Sequence, residues 1–301
     1  MSSAQALVDA HQHIWDPAVA EYPWLTPDLA VLNRRFSTDD VAGELTAAGI
    51  GRTILVQAAD NVEDSENMLR EARSQPRVAG VVVWLPLHDV AACEVLLERW
   101  SADPVVGVRH LIHRDPDPDW LLRTDIQPGL CLLAERGLAF DVCAESLHLL
   151  ALVPALARAH PTLRLVVDHL AKPPIRDGGW QPWADLFAQA AQCPTVVAKL
   201  SGLNTAAAPG WTGRTFQPYV DHALEVFGPD RLMYGGDWPF ALLAADSYGQ
   251  IHSALVDTLH DLTPAEWSAV TGATARRVYR LEPDPEPDPD HEPLEPHEET
   301  G

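Results

Sequence analysis

The sequence predicts an α/β protein closed into a single (β/α)8 barrel of the TIM type. Short β-branched runs alternate with longer helical patterns from end to end, and most of those runs are continuously apolar. Charged or imidazole side chains recur where the runs end. A strand covered on both faces has no polar side to present, so continuous apolar runs point to a parallel sheet flanked by helices.

Eight strands are expected at Leu7–His11, Thr53–Gln57, Ala79–Leu85, Val105–His110, Ala139–Cys143, Arg164–His169, Val196–Ser201 and Leu232–Asp237. Helical patterns lie between them. Asp39–Gly49 opens on acidic cap-like residues and closes at glycine, as helices do. Glu63–Ser74 places Met68, Leu69 and Ala72 on one face. Val90–Trp100, Ile126–Gly137, Leu147–His160, Trp183–Gln192, Phe216–Gly228 and Pro264–Tyr279 follow the same pattern. Eight such pairs over about 275 residues suit one closed barrel. An open doubly wound sheet is disfavoured, because no glycine-rich phosphate turn follows the first strand.

A long loop after strand 1, from His13 to Thr38, carries Trp15, Tyr22, Trp24 and the prolines Pro17, Pro23 and Pro27. Loops of that length in compact domains are usually lids or binding loops. Its aromatic residues suit either a stacking platform for a sugar ring or a small core of the loop itself.

At the other end the chain changes character. Residues 282–301 alternate proline with nine acidic side chains and cannot build a core, so a disordered acidic Pro-rich tail is expected after a barrel domain of residues 1–281. His291 and His297 fall in that tail and read as solvated.

The formal net charge is −22, of which the tail supplies nine charges. Nucleic acid and anionic membrane surfaces are disfavoured as partners at that charge. No run of 18 apolar residues offers a membrane span, and the N-terminal Met1–Gln5 has no basic region like that of a signal peptide, so a cytoplasmic location is expected. Cys93, Cys131, Cys143 and Cys193 have no CxxC spacing and read as reduced, mostly buried thiols.

Barrel enzymes place their chemistry at the C-terminal ends of the strands. Strand 1 ends in Asp9-Ala10-His11-Gln12-His13, and alternation in an extended segment turns both imidazoles toward the barrel mouth. Strand 4 ends in Arg109-His110, strand 6 in Asp168-His169, strand 7 in Lys199-Leu200-Ser201 and strand 8 in Gly235-Gly236-Asp237. Gln57 and Trp84 end strands 2 and 3. A structural reading has Asp9 and Asp168 orienting neighbours, Arg109 in an ion pair and Lys199 capping the barrel. Packing alone does not explain so many costly polar groups at strand ends, and His11, His13, His169 and Asp237 together read as a functional set.

These residues sit in motifs with a known likeness. VDAHQHIWDP, VVGVRHLIHRDPDPDWLL, VVDHLAKPPI, VVAKLSGL and DRLMYGGDWPF occur in order from about Leu7 to Leu281. In them the chain resembles the amidohydrolase-related lactonases, the L-fuconolactonase and L-rhamnonolactonase type. The resemblance implies a (β/α)8 barrel that opens sugar-acid or dicarboxylate lactones, with catalytic His11, His13, His169 and Asp237. It implies that the same four residues hold a divalent metal such as zinc in some relatives, while members of this branch work without one. Two positions depart from the pattern: Gly236 stands where serine is usual, and Phe240 replaces an aliphatic residue.

A lactone is an ester, so its hydrolysis needs an activated water, a polarised carbonyl and a proton for the ring alkoxide. Asp237 is assigned as base and then acid, and the three histidines as stabilisers of the oxyanion, directly or through a metal. Arg109, His110 and Trp238 are the candidates for holding substrate, with Gln57, Trp15 and Trp84 beside them. Ser201 has no neighbouring base in sequence and no GxSxG elbow is present. The expected partner is a small-molecule lactone. The rivals are a metal-dependent decarboxylase, a binuclear amidase or deaminase, and a non-catalytic binding barrel. The second usually needs a carboxylated lysine at a mid-barrel strand end, where this chain has Arg109-His110 and Asp141.

Overall fold

A computed structural model describes residues 6–283. Beyond its first two residues, the expected disordered tail lies outside the described residues. Eight parallel strands run in sequence order, each bonded to the next. They are β1 Leu7–Gln12, β2 Ile50–Val56, β3 Val78–Val83, β4 Val105–His110, β5 Ala139–Val142, β6 Arg164–Val167, β7 Val196–Leu200 and β8 Leu232–Tyr234. The sheet closes on itself just beyond β1 and β8. There Asp237 N–H donates to His11 O at 2.8 Å, and His13 N–H donates to Trp238 O at 2.7 Å.

The helices alternate with the strands as expected through α1 Ala42–Ala47, α2 Val62–Ser74, α3 Val90–Arg99, α4 Gln127–Arg136, α5 Leu147–Ala159, α6 Trp183–Ala191 and α7 Gly213–Phe227. Polar residues start several of them: Asn61, Asp89 and Ser146 each accept a first-turn amide, satisfying groups a helix leaves unpaired. The chain then departs from expectation. Tyr248–Asp257 forms a further helix, α8, capped by Ser247 and burying Tyr248, Ile251, Ala254 and Leu255. Its glycine, serines and histidine dilute the apolar pattern, and packing on the barrel decides it. The single helix expected over Pro264–Tyr279 is instead α9 Pro264–Ser268, a wide turn at Ala269–Ala273, and α10 Thr274–Tyr279.

Two layers of core result. Val8, Ile54, Val82, Val106, Val166, Val197 and Met233 meet Ala275, Val278 and Tyr279 of α10, which plugs the N-terminal end of the barrel. A larger layer lies between strands and flanking helices. Of the cysteines, all free, Cys93 and Cys143 are buried, Cys193 is half-buried and Cys131 is exposed, so burial holds for only half of them. Among the described residues no helix is long and apolar enough to cross a membrane.

Most strands end one to three residues short of their expected ends, and two of them do so in left-handed backbone. β6 was expected to reach His169 and β8 to reach Asp237, yet they end at Val167 and Tyr234. The residues beyond turn left-handed: His169, Leu170, Ala171 and Lys172 have φ of 55°, 51°, 59° and 49°, and Asp237 has φ 55°. That conformation costs an L-residue about 1–2 kcal/mol. Concentrated backbone strain of this kind marks segments whose surroundings over-determine them, and both lie at the C-terminal mouth.

Candidate active site

The left-handed turn after β6 aims His169 across the mouth, and the turn after β8 brings Asp237 to meet it. From β1 come His11 and His13. His13 Nε2 lies 3.5 Å from Asp237 Oδ1, His11 Nε2 at 3.8 Å and His169 Nε2 at 3.9 Å. All four side chains are buried. Gly202 makes room for the arrangement: a Cβ there would lie 2.6 Å from His169 Nδ1 and 2.8 Å from Asp237 Oδ2, on a backbone with φ +60°.

Hydrogen-bond direction constrains the imidazoles. His13 Nδ1 lies 2.7 Å from Val56 O, and a carbonyl only accepts, so the proton is on Nδ1 and the Nε2 lone pair is free. His11 Nε2 lies 3.0 Å from that lone pair. A proton on His11 Nε2 lets His11 Nδ1 accept from Lys199 Nζ at 3.0 Å, but sets that proton against Arg109 Nη1, which lies 3.2 Å from the same Nε2 and only donates. A proton on His11 Nδ1 turns to Asp168 Oδ1 at 3.3 Å and leaves the Nε2 lone pair, beside that of His13, to Arg109 or to a cation. Donor atoms of His11, His169 and Asp237 all fall within 4.8 Å of one another, and His13 adds a third imidazole beside them. Three imidazoles and a carboxylate suit zinc, so these residues fit a divalent ion.

Beneath the histidines is a buried ionic cluster. Lys199 is wholly buried, 2.5 Å from Asp141 Oδ2 and 3.2 Å from Asp168 Oδ1. Tyr279 of the plugging helix donates to Asp141 at 2.8 Å. Arg109 Nη1 lies 3.1 Å from Asp168 Oδ2, and its Nη2 donates to Gln57 O. The two cations match the two carboxylates, which is what keeps such charges tolerable without water.

The environment sets the protonation states. Burial, reinforced by the Lys199 charge, holds His11 well below its ordinary value. Burial also lowers His13, and it takes His169 down to about 4 despite the Asp237 charge. Burial pushes the Asp237 carboxyl up, but the His169 charge, the His13 bond and the Lys172 and His11 charges outweigh it and hold it far below the carboxylate range. At neutral pH the site is three neutral imidazoles around an ionised Asp237. Burial raises the Cys143 thiol well above its usual value, which removes it as a nucleophile.

Above this floor is a cavity of about 530 Å³. His13, His169, Asp237 and Arg109 line it, along with Trp24, Ala58, Phe240 and Leu243 on one wall. His113, Arg114, Lys172 and Arg176 line another. Lys172 Nζ meets only neutral acceptors, Thr205 Oγ1 at 2.7 Å and Gly202 O at 3.3 Å, and has no carboxylate partner among the described residues.

Several residues expected to hold substrate are elsewhere. His110 stacks on Trp120 at 4.3 Å and accepts from Trp84 Nε1 at 3.1 Å, so both His110 and Trp84 lie in an adjoining cleft. Trp238 and Gln57 are buried below the surface. Arg109 reaches the cavity with its charge already engaged by Asp168. Trp15 is fully buried, packed on Trp24, Phe36 and Phe240, so it belongs to the loop's own core. Trp24 forms the wall in its place, anchored by a 2.7 Å bond from its Nε1 to Ala58 O. Lys172, three residues after His169, and His113, three after His110, also line the cavity; each lies beyond its strand end, where strand alternation no longer tells which way a side chain points. Ser201 does have a base in space, with its Oγ 2.8 Å from His169 Nδ1.

Residues 8–281 match the Amidohydrolase family. The chain is 35% identical over 279 residues to an L-fucono-1,5-lactonase of Burkholderia ambifaria, covering 91% of this chain and 96% of that one. It is 34% identical over 295 residues to an L-fucono-1,5-lactonase of Burkholderia multivorans, covering 93% and 97%. A solved amidohydrolase structure from Burkholderia multivorans with bound zinc superposes with a TM-score of 0.85 at 32% identity, covering 92% of this chain and all of that one. With a family match across nearly every described residue, and relatives above 30% identity along almost their whole length, this chain belongs to the Amidohydrolase family.

Proposed function

We propose that this protein is a lactonase that opens a sugar-acid lactone, with L-fucono-1,5-lactone the first candidate substrate. The observation that carries the reading is the convergence of three neutral imidazoles on one ionised carboxylate at the floor of a cavity of about 530 Å³. The likeness to two L-fucono-1,5-lactonases supports it.

In this reading the lactone lies between the Trp24–Phe240 wall and the Lys172–Arg176 wall, with its carbonyl over the histidines. Asp237 takes a proton from water as the water oxygen bonds to the carbonyl carbon. The carbonyl oxygen becomes an oxyanion that accepts from His169 Nε2–H, a tautomer held by Ser201 donating to Nδ1. The ring carbon–oxygen bond then breaks, and Asp237 returns its proton to the departing alkoxide. The product is a hydroxy acid whose new carboxylate faces Lys172.

Asp237 is held ionised by the groups around it, and proton transfer to it depends on the positive field around the attacked carbonyl. A divalent ion such as zinc would be held by His11, His13, His169 and Asp237 and would supply Lewis-acid chemistry at the carbonyl.

Proton release followed with a pH indicator tests the reading. A panel of five- and six-membered sugar-acid lactones is given to chelator-treated enzyme and to enzyme supplied with zinc. Acid release from a lactone in either state supports it, and the difference between the two states measures the metal's contribution. Silence throughout, with carbon dioxide released from an aromatic acid instead, replaces it with a decarboxylase.

A further inference from the structure

Behind the histidines, where the barrel closes, four side chains form one hydrogen-bonded line. Asp9 Oδ1 accepts from the backbone N–H of His11 and of Gly236, each at 2.9 Å. One carboxylate oxygen therefore ties β1 to the β8 loop. The other oxygen accepts from the Tyr248 hydroxyl at 2.9 Å. A hydroxyl has one proton. Having spent it on Asp9, Tyr248 accepts from Tyr234 at 3.0 Å, and Tyr234 accepts from His252 Nδ1–H at 3.0 Å. The direction of every bond is thus set, running inward from half-buried His252 on α8 to wholly buried Asp9.

Gly236 completes the arrangement. A Cβ there would lie 2.3 Å from Tyr248 Cε2 and 2.8 Å from Asp9 Oδ2. The Tyr248 ring thus occupies the space that a side chain at 236 needs.

We infer that Tyr248 is a positioning residue, paired with Gly236, that sets the separation of His11 and Asp237 through Asp9. Both backbone amides held by Asp9 belong to, or directly precede, those two residues. The β1–β8 seam is also where the ladder thins to a single bridge, Gln12 with Trp238. Freed from Tyr248, Asp9 no longer has a fixed rotamer, and the two halves of the site lose their common anchor. The kinetic consequence rests on the lactonase reading; the geometric one does not.

The test uses the full chain and the lactone the wild type opens. Tyr248→Phe keeps the ring and removes the hydroxyl. It is expected to lower kcat by about tenfold to a hundredfold, the scale of small misplacements at a reacting centre, with little change in KM. Tyr234→Phe leaves the Tyr248–Asp9 bond in place and is expected to cost less. Gly236→Ser alone collides with the ring, and adding Tyr248→Ala to it is expected to restore part of the lost kcat. Wild-type kcat in Tyr248→Phe, with only the melting temperature lowered, overturns the proposal.

A readout without turnover separates the two readings. In protein labelled with 15N-histidine, Tyr248→Phe is expected to shift the His11 ring signals and leave exposed His148 and His260 unmoved. Unmoved His11 signals overturn the positioning role. A wild type inert on every lactone, with His11 shifted in the variant, strikes only the lactonase reading.

Discussion

Gly202→Ala is a change of one methyl group that the site cannot absorb. The added Cβ would lie 2.6 Å from His169 Nδ1 and 2.8 Å from Asp237 Oδ2, whereas ordinary contact begins at 3.4 Å. Relief requires shifts of about 0.8 Å and 0.6 Å, the differences between those distances. Neither neighbour is a flexible chain end. His169 is held by its 2.8 Å bond to Ser201 and Asp237 by the histidines around it. The alanine must also adopt φ +60°, at a cost of about 1–2 kcal/mol, and the strained Ser201 bond adds about 1 kcal/mol. Together these amount to about 2–3 kcal/mol, or roughly 3–5 °C in melting temperature for a domain of this size. Misplacing two reacting groups by most of an ångström is expected to cost about a hundredfold in kcat, close to 3 kcal/mol of barrier. Steady-state kinetics on the best lactone, beside differential scanning calorimetry, measures both. A Gly202→Ala enzyme with more than half the wild-type kcat would show that His169 and Asp237 do not act as the pair described.

Asp237→Asn keeps the shape and removes the base, and it is expected to lower kcat by about a thousandfold, read by indicator assay; a near-normal rate ends that assignment. Because burial holds His169 at about 4 rather than 6.5, the metal-free enzyme is expected to keep kcat/KM down to an acid limb near pH 4. Neutral His169 contributes about 3 kcal/mol of stability, fully present above pH 6.5 and lost as pH falls through about 4. Asp9, raised to about 6 chiefly by burial, acts in the opposite sense, its contribution being present below pH 3.8 and lost as pH rises through 6. An acid limb at pH 6.5 in the rate profile contradicts the buried, neutral imidazole. Lys199→Met leaves buried Asp141 without its cation and Asp168 with Arg109 alone, and is expected to destabilise the fold by about 3–5 kcal/mol. An unchanged thermal melt would show that the cluster is not ionised as described.

The buried cluster also explains why the polar strand ends resisted assignment. Arg109 and Lys199 both end strands with a charge and both read as candidates for substrate or cap. The structure spends their charges on Asp168 and Asp141, Arg109 at the cavity floor and Lys199 below it. Their work is to hold His11, while Lys172 nearby, bonded to neutral acceptors, faces the cavity. One sequence carries both kinds of charge, and only a partner in space distinguishes them.

What the sequence determined by itself is whatever local periodicity and strand-end chemistry can encode. Continuous apolar runs such as Val78–Val83 allow no exposed face, so the parallel barrel followed from them. His11, His13, His169 and Asp237 stood out because a buried strand has no packing reason to end in such groups. The tertiary structure decided what depends on distance between remote segments. It chose Trp24 over Trp15 as the cavity wall, since within the aromatic core they share only Trp24 reaches the cavity. It sent His110 and Trp84 to an adjoining cleft and made Tyr248 a neighbour of Asp9 across 239 residues of chain. No periodicity records such a meeting, because it is set by how the barrel closes and by what the closing seam must bury.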